Sequence, residues 1–166
     1  MSDDRAVVVL IGAPGAGKSR TGRRLARLLD IALIDTDKRI VAAHGPIVDI
    51  FTEHGEPYFR ELERAEVSRA LGEHAVVSVG GGAVLNADTQ AELADHRVVQ
   101  LTLSKSAFES RMKSGKRPLV TDIESWAALV AARQPLYDRL SHLTIDTSRQ
   151  PLDRVAEQIV KWLDEQ

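Results

Sequence analysis

The chain has 166 residues, a formal net charge of -2 and no cysteine. This length suits one domain with a large buried core, the small charge argues against nucleic-acid and membrane surfaces as partners, and the absence of cysteine excludes disulfides and thiolate metal sites. Because no signal-peptide pattern and no apolar run of transmembrane length occur, we expect a cytoplasmic protein. The length predicts a single domain over residues 1–166, and we expect it to be a monomer.

Apolar runs and helical patterns alternate along the chain. Strands are predicted at residues 6–11, 32–34, 75–79, 98–103 and 143–145, and helices at residues 18–29, 38–43, 58–71, 87–95, 106–112, 123–138 and 151–163. This alternation predicts an α/β fold in which helices cover both faces of a parallel sheet, with ligand sites at the carboxyl ends of the strands. Pro135 lies inside one helical pattern and is predicted to kink or break that helix near Arg133.

The first strand leads into Gly12-Ala13-Pro14-Gly15-Ala16-Gly17-Lys18-Ser19, which fits the phosphate-binding loop pattern G-x-x-x-x-G-K-[ST]. Its glycines allow backbone N–H groups to face phosphate oxygens, and the following helix adds a partial positive charge. Lys18 is predicted to contact the β and γ phosphates, and the Ser19 hydroxyl to ligate Mg²⁺. A glycine-rich turn without a ligand is the alternative, but the flanking strand and helix favour a nucleotide-phosphate site.

Asp35-Thr36-Asp37 follows the second strand directly. Two carboxylates at a strand end beside a phosphate loop favour Mg²⁺ binding and orientation of an attacking hydroxyl. In the alternative interpretation, Asp37 only caps the next helix and Asp35 only ends a strand.

Three further stretches suit a ligand but also have simpler interpretations. Gly80-Gly81-Gly82 follows the third strand and permits close approach of a ligand, or is a plain turn. Arg60 and Glu63 share a helix face, where the Glu either holds the guanidinium in position or forms an ordinary exposed ion pair. The basic segment at residues 113–119 is either a solvated loop or part of a lid, at about residues 113–122, that brings Arg117 to the transferred phosphoryl group.

Taken in order, these motifs resemble the shikimate kinase family over nearly the whole chain. The resemblance rests on Gly12 to Ser19, Asp35-x-Asp37, Gly55-Glu56-x-x-Phe59-Arg60-x-x-Glu63, Gly80-Gly81-Gly82-Ala83, Arg117-Pro118-Leu119 and Arg133-x-Pro135-x-Tyr137. It implies a five-stranded parallel sheet of the nucleoside-monophosphate-kinase type, with a lid and with substrate-binding helices at about residues 37–71. The implied reaction is Mg²⁺-dependent transfer of the γ-phosphoryl group of ATP to the 3-hydroxyl of shikimate, in aromatic amino-acid biosynthesis.

The resemblance also implies roles for individual residues. The implied ATP contacts are Gly15, Ala16, Gly17, Lys18, Ser19, Arg20, Arg111, Arg117 and Arg149. The implied shikimate contacts are Asp37, Arg60, Gly80, Gly81, Gly82 and Arg133, of which the two arginines grip the carboxylate. Ser19 and Asp35 are the implied Mg²⁺ ligands, and Asp37, Lys18 and Arg117 the catalytic group. Arg20 stands where the family usually has Thr, and it places a cation at the start of a helix.

Other functions remain as alternatives with different expected properties. A GTPase switch needs an N-K-x-D-type base-reading motif, and the only Asn in the chain, Asn86, does not form one. Another small-molecule kinase, acting on gluconate or a nucleoside monophosphate, would be distinguished by its acceptor. An ATP-binding regulatory domain would bind nucleotide without phosphorylating a small acceptor.

Overall fold

The structure, a computed structural model, describes residues 4–113 and 123–166. Five parallel strands form one sheet in the order β2-β3-β1-β4-β5. Their bounds are Val8–Gly12 for β1, Ala32–Asp35 for β2, Ala75–Ser78 for β3, Val98–Thr102 for β4 and Leu143–Asp146 for β5. The predicted parallel sheet is therefore confirmed, and β1 lies at its centre.

Eight α-helices and one 3₁₀ turn connect the strands within the described residues. The helices are α1 Lys18–Leu29, α2 Thr36–His44, α3 Ile47–His54, α4 Glu56–Leu71, α5 Ala87–Leu93, α6 Lys105–Lys113, α7 Ile123–Leu140 and α8 Leu152–Asp164, and the 3₁₀ turn is Ala83–Leu85. Within residues 4–113 and 123–166, no helix combines the length and apolar character needed to cross a membrane.

The continuous apolar run of β1 is explained by burial on both faces of the sheet. Val8 and Leu10 pack with side chains of α1 and α8, whereas Val9 and Ile11 pack in a second core with α4 and α5. Alternate residues of a strand point to opposite faces, so a strand between two helical layers must be apolar at every position. The two cores hold the carboxyl ends of β1, β2 and β3 close together at one edge of the sheet.

Helix α3 was not predicted. Glycines at positive φ, Gly45 at 89° and Gly55 at 85°, bound the segment that contains it, and Pro46 is its N-cap. Because glycine and proline are typical of loops, they hid the short apolar pattern of Ile47, Ile50 and Phe51. These three side chains belong to a small core with α2 and α4.

Of the two outcomes predicted for α7, a kink or a break near Arg133, the break was wrong. The helix runs from Ile123 to Leu140 with Pro135 inside it. Side-chain bonds anchor it on both sides of the proline, because Gln134 Nε2 donates to Gln100 Oε1 at 2.7 Å and Tyr137 Oη donates to the Gly81 carbonyl at 2.7 Å. Pro135 itself is exposed, where its ring meets little packing and the free carbonyl of the preceding turn can reach water.

Candidate active site

The phosphate loop lies between β1 and α1 and adopts the backbone form that its glycines permit. Gly15 and Gly17 have left-handed φ values of 87° and 88°, which a residue with a Cβ adopts only with strain. Gly17 is also the N-cap of α1 and supplies no capping side chain, so the first amides of the helix are available to an anion. The Lys18 ammonium donates to the carbonyls of Gly12 at 2.8 Å and Ala13 at 3.1 Å.

Ser19 and Asp35 form a pair of hard oxygen ligands beside this loop. Ser19 Oγ donates to Asp35 Oδ2 at 2.5 Å, and the other carboxylate oxygen accepts from the Lys38 amide at 3.2 Å. A hydroxyl and a carboxylate next to a phosphate site suit Mg²⁺, which takes one or two protein ligands and keeps several waters. The described part of the chain holds no cluster of three or more His, Cys, Asp or Glu side chains.

The alternative interpretation of Asp37 as a helix cap was wrong. Asp35 is the N-cap of α2, and Asp37 lies in the first turn of that helix with its carboxylate against Gly80. Oδ1 of Asp37 is buried, and it accepts no hydrogen bond from any residue that the structure describes. Burial raises the pKa of the Asp37 carboxyl, and the charge of Asp35 raises it further, while Lys18 and Arg60 lower it. A buried acceptor without a protein partner points to a ligand donor.

Arg60 is not part of an ordinary exposed ion pair. It donates to Glu63 at 2.7 Å and to Glu56 at 3.3 Å, and the Glu63 side chain is only 5% exposed. Burial raises the pKa of the Glu63 carboxyl, although the hydrogen bond from Arg60 opposes the shift. The free energy of unfolding is therefore lower with Glu63 ionised than with Glu63 protonated. The ionised carboxylate holds the Arg60 guanidinium at the edge of the cavity.

The glycine triplet borders the site because side chains occupy the space where its Cβ atoms would be. A Cβ built on Gly80 would lie 2.7 Å from Asp37 Oδ1, one on Gly81 would lie 3.3 Å from Arg133 Nη1, and one on Gly82 would lie 2.7 Å from Arg60 Cζ. None of the three has a positive φ, so space rather than backbone conformation requires glycine here. The triplet thus brings Asp37, Arg60 and Arg133 to one short segment after β3.

Tyr137 is a residue of this region that the site prediction did not include. Its hydroxyl donates to the Gly81 carbonyl at 2.7 Å, and the Arg133 guanidinium, one helical turn before it, interacts with the same hydroxyl. Burial raises the pKa of the phenol, and Arg133 lowers it. Because burial has the larger effect, the hydroxyl keeps its proton and can act as a donor. The i, i+4 spacing of Arg133 and Tyr137 was the signal that could have identified this pair.

A cavity of about 680 Å³ joins the phosphate loop to Asp37 and Arg60, whereas Arg133, Tyr137 and Gly82 do not line it. Its polar lining comes from Lys18, Ser19, Asp35, Asp37, Lys38, Arg60 and Ser78, and its backbone lining includes Gly15, Gly17, Gly80 and Gly81. An apolar wall of Val41, Phe51 and Leu129 completes it. Isolated apolar residues carry no sequence signal for a site, and the prediction missed all three.

Three of the arginines predicted on the nucleotide side, Arg20, Arg111 and Arg149, lie outside this cavity. Arg111 donates to the carbonyls of Gly15 and Thr147, Arg20 is exposed on α1, and Arg149 is exposed in the bend after β5. Arg117 and most of the predicted lid, residues 114–122, lie outside the described residues. Their roles therefore stay predictions.

Comparisons with known proteins agree over the length of the chain. The family model described as shikimate kinase matches residues 14–164. A shikimate kinase of Thermobifida fusca is 44% identical over 164 residues, covering 96% of this chain and 95% of that protein. One of Corynebacterium efficiens is 43% identical, covering 92% of this chain and 94% of that protein.

Solved structures show the same similarity. The shikimate kinase of Acinetobacter baumannii in complex with shikimate has a TM-score of 0.88 and 29% identity, with coverage of 98% of this chain and 94% of that one. The shikimate kinase of Aquifex aeolicus has a TM-score of 0.78 and 27% identity, with coverage of 95% of both chains. A sugar kinase of Janibacter sp., at 21% identity and a TM-score of 0.57, shares the fold.

Proposed function

Because the chain belongs to the shikimate kinase family, we propose specific roles for its site residues in the family reaction. That reaction transfers the γ-phosphoryl group of ATP to the 3-hydroxyl of shikimate, and its product, shikimate 3-phosphate, enters aromatic amino-acid biosynthesis. The observation that carries the assignment is the buried, unpartnered Oδ1 of Asp37, which lies between the phosphate loop and Arg60.

On the acceptor side, we propose that Arg60 and Arg133 bind the shikimate carboxylate. A planar guanidinium binds a carboxylate through two parallel hydrogen bonds, and Glu63 and Tyr137 restrict the two guanidinium groups before the ligand arrives. Gly80, Gly81 and Gly82 border the acceptor, and the apolar wall of Val41, Phe51 and Leu129 suits the carbon ring.

On the nucleotide side, we propose that the amides of Gly15, Ala16 and Gly17 and the Lys18 ammonium bind the β and γ phosphates. Ser19 and Asp35 would hold Mg²⁺, which neutralises charge on the phosphates when bound. Arg20, Arg111 and Arg149 are proposed as contacts to the outer part of the nucleotide, and Arg117 as the arginine that stabilises the transferred phosphoryl group.

For the chemical step, we propose that the Asp37 carboxylate accepts the hydrogen bond of the attacking 3-hydroxyl. This contact aims the hydroxyl oxygen at the γ phosphorus and offers a base for its proton as the new bond forms. In a loose phosphoryl-transfer transition state, orientation contributes more than proton removal, so Asp37 acts chiefly by positioning. Lys18 stabilises the charge that accumulates on the transferred oxygens.

The experiment is an acceptor screen with ATP and Mg²⁺. We expect turnover of shikimate, with kcat/KM for gluconate and for nucleoside monophosphates lower by at least about a hundredfold, because neither presents a carboxylate on a rigid ring to the two partly buried arginines. Comparable turnover of gluconate would contradict the proposal. Nucleotide binding without phosphorylation of any acceptor would favour a regulatory domain.

We also propose that residues 1–166 form one kinase domain, with a lid at about residues 113–122 and acceptor-binding helices within about residues 37–71, and that it acts as a monomer. Elution at the mass of one chain, with activity per chain independent of concentration, is the expected result. Activity that rises with association would contradict it.

A further inference from the structure

Five consecutive carbonyl groups of the phosphate loop each accept a hydrogen bond from a side chain. Lys18 Nζ donates to the carbonyls of Gly12 and Ala13, Trp126 Nε1 to Pro14, Arg111 to Gly15, and Thr147 Oγ1 to Ala16. Apart from Lys18, these donors come from outside the loop and its helix: Trp126 from α7, Arg111 from α6, and Thr147 from the segment after β5. We call Trp126, Arg111 and Thr147 the carbonyl clamp.

The clamp bears on anion binding because the N–H and C=O groups of a peptide unit point in opposite directions. Donors that hold the Pro14 and Ala16 carbonyls therefore also fix the direction of the Gly15 and Gly17 amides, which can then face a phosphate, whereas the Ala16 amide donates to the Ala13 carbonyl at 3.1 Å. A loop held in this form before binding loses less conformational freedom when the nucleotide arrives, so its affinity is higher.

We propose that Trp126 is a positioning residue for the nucleotide phosphates, which it affects through the Pro14 carbonyl. Its indole Nε1 donates to that oxygen at 2.8 Å, and its ring is 2% exposed and stacks on Phe108 with a centroid distance of 4.2 Å and an interplanar angle of 6°. The stacking on Phe108 is an ordinary packing contact. Packing alone, however, does not require the polar edge to face the loop.

Trp126 is the most informative member of the clamp to test. An indole has a single N–H donor, whereas the one hydroxyl proton of Thr147 is shared between Ala16, at 3.0 Å, and Thr102, at 2.9 Å. Trp126 also lies outside the cavity lining. Its influence should therefore reach ATP through the loop and leave shikimate unaffected. This inference rests on the proposed role of the loop as the nucleotide site.

The first test is Trp126→Phe, which keeps an aromatic ring against Phe108 and removes the donor. With calorimetry in the presence of Mg²⁺, we expect the Kd for ATP to rise about five- to tenfold and the Kd for shikimate to change by less than about twofold. Trp162→Phe is the matched control, because Trp162 lies on α8 and packs against the core next to α1. It should leave both Kd values unchanged.

A second pair of variants keeps the inference testable if Trp126→Phe folds poorly. Thr147→Val removes the donor to Ala16 with almost no change in shape and should also weaken ATP binding, whereas Thr147→Ser keeps the hydroxyl and should bind ATP as the wild type does. A wild-type Kd for ATP in both Trp126→Phe and Thr147→Val would overturn the inference. So would an equal weakening of ATP and shikimate binding, which indicates a packing defect only.

Lys18→Met separates this inference from the proposal that it rests on. If Lys18→Met abolishes ATP binding while both clamp variants bind normally, only the clamp inference fails. If Lys18→Met binds ATP as the wild type does, the loop is not the nucleotide site, and the clamp inference fails with it.

Discussion

Replacing Asp37 with Asn is the most direct test of the proposed chemistry. The amide has nearly the shape of the carboxylate, so it fits the space beside Gly80 where a larger side chain would not. It removes the negative charge next to Arg60 and replaces one acceptor oxygen with a donor nitrogen. The buried position that now lacks a protein partner would then present a weaker acceptor, or a donor, to the attacking hydroxyl.

The expected loss is about a hundredfold or more in kcat/KM for shikimate. A positioned base contributes about 10²–10⁴-fold, and a hundredfold corresponds to about 2.7 kcal/mol of transition-state stabilisation. We place the effect at the lower end because orientation survives in part through an amide of the same size. The KM for ATP should change by less than about threefold, since Lys18 and the loop amides stay in place.

The assay is steady-state kinetics with each substrate varied across a Mg²⁺ titration. Asp49→Asn is the matched control, because Asp49 lies exposed on α3 and undergoes the same chemical change outside the cavity lining. It should have wild-type constants. Near-normal turnover of Asp37→Asn, or its rescue by added Mg²⁺, would refute the reasoning, because the acceptor would then be oriented by another group.

Three further predictions follow from the same geometry. Asp35→Asn weakens a metal site, so its kinetic defect should shrink as the Mg²⁺ concentration is raised. A defect that does not depend on the Mg²⁺ concentration would contradict the ligand role. Arg133→Ala should raise the KM for shikimate about tenfold or more and leave the KM for ATP within about twofold. The reverse pattern would show that Arg133 binds the nucleotide instead of shikimate. Glu63 has a folded-state pKa raised above 4.5, so the stability that its protonated form contributes is present below pH 4.5 and is lost as the pH rises through the folded-state value. Urea denaturation should therefore show Glu63→Gln gaining free energy of unfolding relative to the wild type as the pH rises above 4.5; a difference that is independent of pH would contradict this.

The parts of the site that are local in sequence could be predicted. The phosphate loop is one uninterrupted stretch, and Asp35 and Asp37 follow a strand whose carboxyl end meets that loop in any parallel sheet of this kind. The glycine triplet was also located correctly after β3. The reason for glycine at these positions differed from the predicted one, which was close approach of a ligand. In the structure, protein side chains also occupy the space where the Cβ atoms would be.

The parts that depend on distant contacts could not be predicted. Trp126 and Pro14 are separated by 112 residues, and Tyr137 and Gly81 by 56. Which carbonyl a donor meets at such separations depends on how helices pack on the sheet, and periodicity gives only the face of a helix that is buried. The uninterrupted course of α7 through Pro135 has the same origin, because tertiary bonds override a local preference.

The glycine triplet has a consequence for how this enzyme tolerates genetic change. Every missense change in a glycine codon adds a Cβ, and at Gly80 and Gly82 that atom would meet the far ends of Asp37 and Arg60 rather than the backbone. Oδ1 of Asp37 is buried and Arg60 is paired with the buried Glu63, so displacing either side chain disturbs both the proposed site and the packing around it. Changes in the triplet would therefore be removed both by selection for a stable, well-expressed protein and by selection for growth without aromatic amino acids.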